Sequence, residues 1–202
     1  MSTYGDKINS LPNPEELKER VKKLVSLEDL REPASEHSSR GNIENRLANF
    51  EANWEEGVDY AFTDDGGGNV SGIIFKDGGA FAFGFDHESD YNAYAENIAP
   101  EDQPALQGVP KEYEEYLTSP ELAIDVDDPQ LYATVAFWWD KQNERWSYNE
   151  EFVDNLDDFD SNGFDYFFEI YCKFTPEEYE RSVVEWDQTS PTPEKVKEVL
   201  GS

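Results

Sequence analysis

Residues 72–94 read GIIFKDGGAFAFGFDHESDYNAY, and two short apolar runs inside this stretch decide the fold. Gly72–Phe75 and Ala80–Phe85 are joined by Lys76-Asp77-Gly78-Gly79. Asp-Gly and Gly-Gly supply the positive φ that a tight hairpin needs. Successive side chains of a strand point to opposite faces, so Phe81, Phe83 and Phe85 share one face and Ala80, Ala82 and Gly84 the other. One face is a stack of rings; the other admits close approach of a neighbouring element. The second run ends in Asp86-His87-Glu88-Ser89, the densest polar cluster after any expected strand, with one of the two histidines of the chain.

Working outward, residues 58–63 alternate as a further strand, and Asp64-Asp65-Gly66-Gly67-Gly68-Asn69 turns it into the hairpin. A glycine-rich loop can cradle phosphate, but this one lacks the Gly-Lys-Ser/Thr ending and carries two aspartates that repel anions. It reads as a hairpin loop. Downstream, 110–117 reads as a short helix and 122–126 as a short strand. LYATVAFWW, residues 131–139, has the strongest strand propensity in the chain. Residues 140–144 turn it, and Arg145-Trp146-Ser147-Tyr148 returns as a partner, with Trp138, Trp139, Trp146 and Tyr148 suited to core and cross-strand pairs. The expectation is an antiparallel sheet of about five strands.

Helices flank this sheet at both termini. Asn13-Pro14-Glu15-Glu16 is a helix start, with Asn as cap, Pro in the first position and acids at the positive end. Leu17, Val21, Leu24 and Val25 follow at helical spacing. Residues 1–12 read as flexible, and 31–40, with His37, as a loop. Ile43, Leu47, Phe50 and Trp54 form a stripe that predicts a second helix over 42–56, ended by Gly57. The last third is helical: 164–174, then a helix opened by Thr175-Pro176-Glu177-Glu178 with Glu178 placed for a capping box, then a short one opened by Thr192-Pro193 and closed by Gly201. The fold class is α+β, one domain over 1–202, with a helical region at 13–56, the sheet at 57–150 and a helical region at 151–202.

The 202 residues carry 46 acidic against 16 basic side chains, a net charge of −30. With 14% aromatic residues, the chain has enough core formers to fold despite self-repulsion. The single cysteine, Cys172, excludes an internal disulfide and a multi-cysteine zinc site, and its aromatic surroundings mark a buried thiol. The chain has no apolar run of membrane-span length and no signal pattern, so a cytoplasmic protein without membrane contact is expected. It has no basic patch, so it is not expected to bind nucleic acid.

Two constellations could carry chemistry. Asp158, Asp160, Asn162, Gly163 and Glu169 fill the calcium-loop pattern of alternating oxygen ligands, a turn glycine and a closing carboxylate. The bland alternative is an acidic turn in which Asn162 or Asp160 caps the helix starting near Phe164. Asp86, His87 and Glu88 could serve acid–base chemistry, but on a strand His87 faces away from its neighbours. No G-x-S-x-G elbow, H-E-x-x-H helix or Cys–His pair is present. The alternative is that Asp86 and His87 tie the strand end to a neighbouring loop.

The segment 81–91, then Val109-Pro110, then Ala136-Phe137-Trp138-Trp139 with Trp146 across a turn, resembles a set of bacterial cytoplasmic proteins. These carry a Gly-Phe-Asp-His-Glu-Ser segment, here 84–89, and a Pro-Glu-Glu-Tyr helix start, here 176–179. The resemblance spans roughly 55–187, and the N-terminal helical region departs from it. In that set the region of 158–169 is a helix entry, and no catalytic residues are implied. The size and acidity of the set are similar to those of immunity proteins of bacterial toxin systems. The expectation is therefore a non-enzymatic acidic binding protein, without a cofactor, that neutralises a basic toxin or nuclease. Asp86, His87, Glu88, Trp139 and Trp146 are the candidate partner-binding residues. The alternatives are a calcium-binding protein using Asp158, Asp160, Asn162 and Glu169, and a hydrolase-type enzyme using 86–88.

Overall fold

Asp77 and Gly78 have φ of 52° and 73°, the pair of left-handed residues that a two-residue hairpin turn of matching twist requires. They join β3 (Val70–Lys76) to β4 (Gly79–Phe85) in the computed structural model of the chain, with Lys76 opposite Gly79 and Val70 opposite Phe85. The structure describes residues 4–31, 46–125, 127–156, 162–185 and 190–201. Around the hairpin stand β1 (Asn49–Glu55), β2 (Val58–Asp64), β5 (Val135–Asp140) and β6 (Arg145–Ser147). The sheet order is β1-β2-β3-β4-β5-β6, every neighbour antiparallel.

Both faces of β4 are covered. Ala80 and Ala82, with Ile73, Phe75, Val135 and Phe137, meet a helical layer. That layer comprises α1 (Tyr4–Asn9), α2 (Pro14–Asp29), α5 (Phe164–Lys173), α6 (Pro176–Glu185) and α7 (Pro193–Leu200). Phe81 and Phe83, with Ile74 and Trp138, meet the opposite layer, whose Leu106, Tyr113 and Tyr116 come from 3₁₀ turns at Pro104–Leu106 and Lys111–Thr118. Phe85 closes the end of the strand with Ala93 and Tyr132; Ala93 opens the short α3 (Ala93–Glu96). α4 (Glu150–Val153) follows β6. The small-residue face does admit close approach: a methyl group on Gly84 would lie 2.7 Å from the Phe167 ring of α5.

The N-terminal reading needs two corrections. Residues 4–11 are not loose: α1 forms, and Ile8 and Leu11 are buried. The helix expected over 42–56 is, in its described part, strand β1, which makes six strands where five were expected. Phe50 and Trp54 misled because a register shift lies between Glu51 and Glu55, with Asn53 at φ 54°. This bulge sends Phe50 to the helical layer and Trp54 to the opposite one, so an interrupted strand mimics helical spacing. Ile43 and His37 lie outside the described residues. Glu28 at the end of α2 is buried, pairs with Arg31, and accepts the Leu47 N–H at 3.2 Å, pinning the entry to β1.

Elsewhere local grammar is obeyed. Asn13 accepts the Glu16 N–H at 3.0 Å, and Thr175 accepts that of Glu178 at 3.2 Å. Residues 131–134 are buried but form no strand, and only 135–140 join the ladder. The strand expected at 122–126 is, in its described part, a single bridge between Asp125 and Asp128. Among the described residues no helix is long and apolar enough to cross a membrane.

Candidate functional site at the end of the sheet

Three segments converge where β4 ends: the β2–β3 loop (65–69), the turn after β4 (86–92), and the entry to α5 (162–166). Their meeting is built on polar hydrogen bonds rather than apolar contact. Thr134 is fully buried; its hydroxyl accepts the Asp86 N–H at 3.1 Å and donates to the Asn162 carbonyl at 2.8 Å. It therefore fixes the start of the turn to the start of α5. Gly163 (φ 82°) lies directly beneath: a side chain there would press on Phe167 at 2.7 Å and on the Asp86 Cβ at 3.1 Å.

His87 is exposed, and its orientation is set by Asn69. The Asn69 side-chain nitrogen donates to Asp65 Oδ2 at 2.7 Å, so its Oδ1 is the free acceptor. That oxygen receives the His87 backbone N–H at 3.0 Å and lies 2.8 Å from Nδ1. An acceptor there places the ring proton on Nδ1 and leaves Nε2 as the lone-pair nitrogen. Asp65 also accepts the N–H groups of Gly67 at 2.7 Å and Asn69 at 3.0 Å, and the Tyr166 hydroxyl at 3.2 Å. A relay runs from Tyr166 through Asp65 and Asn69 to His87. The glycine-rich loop thus turns its amides onto its own Asp65, as a hairpin loop does, and not outward as a phosphate cradle does.

The residues after Phe85 form a turn and not a continuation of the strand, so the expectation that His87 faces away from its neighbours by strand alternation does not apply. The Ser89 N–H reaches the Asp86 carbonyl at 3.1 Å, Asp86 Oδ1 accepts the Glu88 N–H at 3.0 Å, and the Asn92 amide donates to the His87 carbonyl at 2.8 Å. His87 ties the strand end to the β2–β3 loop, with an amide rather than a carboxylate at the imidazole, while Asp86 bonds within its own turn and to Thr134.

Trp139 and Trp146 are not brought to this place. They are register partners on β5 and β6, with ring centroids 5.4 Å apart. Since Phe81 pairs with Trp138, Trp139 and its partner Trp146 are level with Ala80, roughly 20 Å along the strand from Asp86. Trp146 is 2% exposed and its indole N–H donates to the Pro12 carbonyl at 2.9 Å. It is a core strut under the chain between α1 and α2, not a contact surface. Trp139 is half-buried against the helical layer.

Of the calcium pattern, Asp158 and Asp160 lie outside the described residues. Asn162 is buried and its Oδ1 accepts the Phe164 N–H at 3.0 Å, an Asx turn that leads through the N-cap Gly163 into α5. Glu169 divides its two oxygens between Lys173 and Arg181. Burial raises its carboxyl, but these two cations outweigh burial and hold it below the usual range. Among the described residues no group of three or more His, Cys, Asp or Glu could hold a metal ion. Burial pushes the Cys172 thiol up, the opposite of nucleophile activation. It lines a cleft of about 340 Å³ with Arg20, Lys23, Lys173 and Phe174.

The charge of the surface is unevenly spread. Residues 77–130 contain fourteen Asp and Glu against one basic residue, Lys111. Within this stretch Glu112 reaches Lys141 and Glu115 reaches Lys76, while Glu101, Asp102, Glu114 and Glu121 stand exposed.

Sequence reasoning missed Asn69, Asp65, Thr134 and Tyr166. Asn69 and His87 are 18 positions apart, and no local pattern announces a bond across that separation. Comparison of the chain with models of protein families, with curated proteins and with solved structures finds no match.

Proposed function

We propose that this chain is a non-enzymatic acidic binding protein whose partner is a basic protein, of the kind an immunity or inhibitor protein neutralises. The observation that carries this reading is the acidity of residues 77–130, which form the 3₁₀ layer and the end of the sheet. A fully covered sheet displays that charge on a rigid support, and rigid display lowers the ordering cost of association. Complementary charge would steer a basic toxin or nuclease and set the association rate more than the final affinity. The 86–92 turn, held to two neighbouring segments, adds fixed polar groups at one border of the acidic surface.

The test is titration calorimetry against basic nuclease toxins at about 50 mM and about 500 mM salt, which spans strong to weak screening. Affinity should fall at least about tenfold across that range. Tight binding that salt leaves unchanged would defeat the electrostatic reading.

A further inference from the structure

Tyr94 and Leu30 are the large hydrophobic side chains exposed among the described residues, and Tyr94 is the more open, at 41%. A single exposed aromatic is ordinary; this one is pinned from three sides. Its ring meets Tyr132 edge-on with centroids 5.1 Å apart, and Phe85 edge-on at 6.5 Å. Its hydroxyl donates to Asp125 Oδ2 at 3.0 Å, and that bond with the Asp125 charge raises the phenol above its ordinary pKa. Asp125 is itself fixed, because its other oxygen accepts the Asp127 N–H at 2.9 Å. Asp128 stands beside it, accepting from the Tyr132 hydroxyl and from Gln130 at 2.9 Å. A ring already immobilised loses little entropy when a ligand covers it.

The chain shows what belongs on such a ring. Arg20 lies 5.2 Å above Phe174, Lys76 5.5 Å above Tyr116 and Lys22 5.6 Å above Phe50. Among the described residues no cation lies over Tyr94, and its own stretch, 77–130, offers only Lys111. A phenol that donates to a carboxylate keeps its ring electron-rich, which favours a cation over the face. Carboxylates beside the ring add Coulomb attraction at the same place.

We propose that the outward face of Tyr94, backed by Asp125 and Asp128, is the seat for a lysine or arginine side chain of a basic partner protein. The proposal rests on the acidic-binding reading and gives it a central contact. Aromatic anchors of this kind carry much of the energy of an interface, while scattered surface charges carry little.

The experiment is titration calorimetry of the full chain with an acetylated hexa-arginine peptide at about 50 mM salt, where screening is weak. Tyr94→Leu should weaken binding at least about fivefold, as loss of a cation–π contact does. Tyr94→Trp should bind at least as tightly as wild type, and Glu180→Gln, an exposed acid on α6 outside the acidic surface, should stay within about twofold. Unchanged affinity in a Tyr94→Leu variant with unchanged melting temperature and near-ultraviolet dichroism overturns the seat and leaves the acidic-binding reading standing. If Tyr94→Leu fails to fold, Tyr94→Trp is compared with Tyr94→Phe, and tryptophan binding no tighter than phenylalanine overturns the seat. Absence of peptide binding by wild type at low salt defeats the acidic-binding reading itself.

Discussion

Thr134 joins the turn after β4 to the entry of α5 with one hydroxyl. Thr134→Val keeps the shape and removes both bonds, depriving a half-buried N–H and a buried carbonyl of the hydroxyl. The expected cost is about 1–3 kcal/mol, measured by denaturant unfolding, with faster exchange of the Asp86 amide as the local signature. Equal stability and exchange would show that water replaces the hydroxyl. Gly84 depends on its neighbours in another way. Gly84→Ala drives a methyl group to 2.7 Å from Phe167 and 3.0 Å from Val135, so α5 must shift away from the sheet. A loss of about 1–3 kcal/mol is expected. The alternation of rings and small residues in 80–85 made this position legible in the sequence. Thr134 was not legible, because a threonine inside an apolar run reads as β propensity and its two partners are decided by tertiary packing.

At the scale of elements, sequence grammar worked where a signal is local. Asp77-Gly78 set the hairpin, and the Asn13-Pro14 and Thr175-Pro176 starts placed α2 and α6. It failed at β1 because one bulge resets the alternation that identifies a strand. Asn53 is the residue on which this strand turns: its φ is positive, its N–H donates to Asp59 Oδ1 at 2.7 Å, and its Oδ1 accepts the Gly57 N–H at 3.4 Å. Asn53→Gly keeps the backbone geometry and should change stability by less than about 1 kcal/mol. Asn53→Val forces a β-branched residue into the left-handed region and should cost about 1–2 kcal/mol or more. Chemical denaturation of the pair decides the matter; similar stabilities would mean that the bulge is not held by its dihedral angles. The bulge and the exposed Glu51 and Glu55 also blunt the outer edge of the sheet against pairing with another chain.

For the whole molecule, a net charge of −30 sets stability against pH and salt. Added salt at neutral pH should raise the melting temperature by screening repulsion between carboxylates. Acidification from neutral should first stabilise, as exposed carboxylates take up protons, and then destabilise. The second limb comes from Asp59 and Glu169. Burial raises the Asp59 carboxyl, but Lys18 and the Asn53 N–H outweigh burial and hold it low, and Glu169 is held low in the same way. A depressed carboxyl stabilises the fold above its unfolded value near about 4, and that contribution is lost as pH falls through the lower folded value. Thermal melts across pH should therefore peak on the acid side of neutral; stability rising steadily down to pH about 2 would contradict the role of these pairs. The layers on the two sides of the sheet differ in how charge is arranged: α1, α2, α5, α6 and α7 set nine lysines and arginines among fourteen acids, whereas residues 100–122 carry six acids and one lysine. Both slabs are net negative by five, but the helical one is a mosaic of both signs and the 3₁₀ one is acidic almost throughout, so their outer faces present different local fields. On a positively charged bead or electrode it should settle with its 3₁₀ layer down and its helices outward, so a label attached to α2 would stay accessible where one on Glu114 would be hidden.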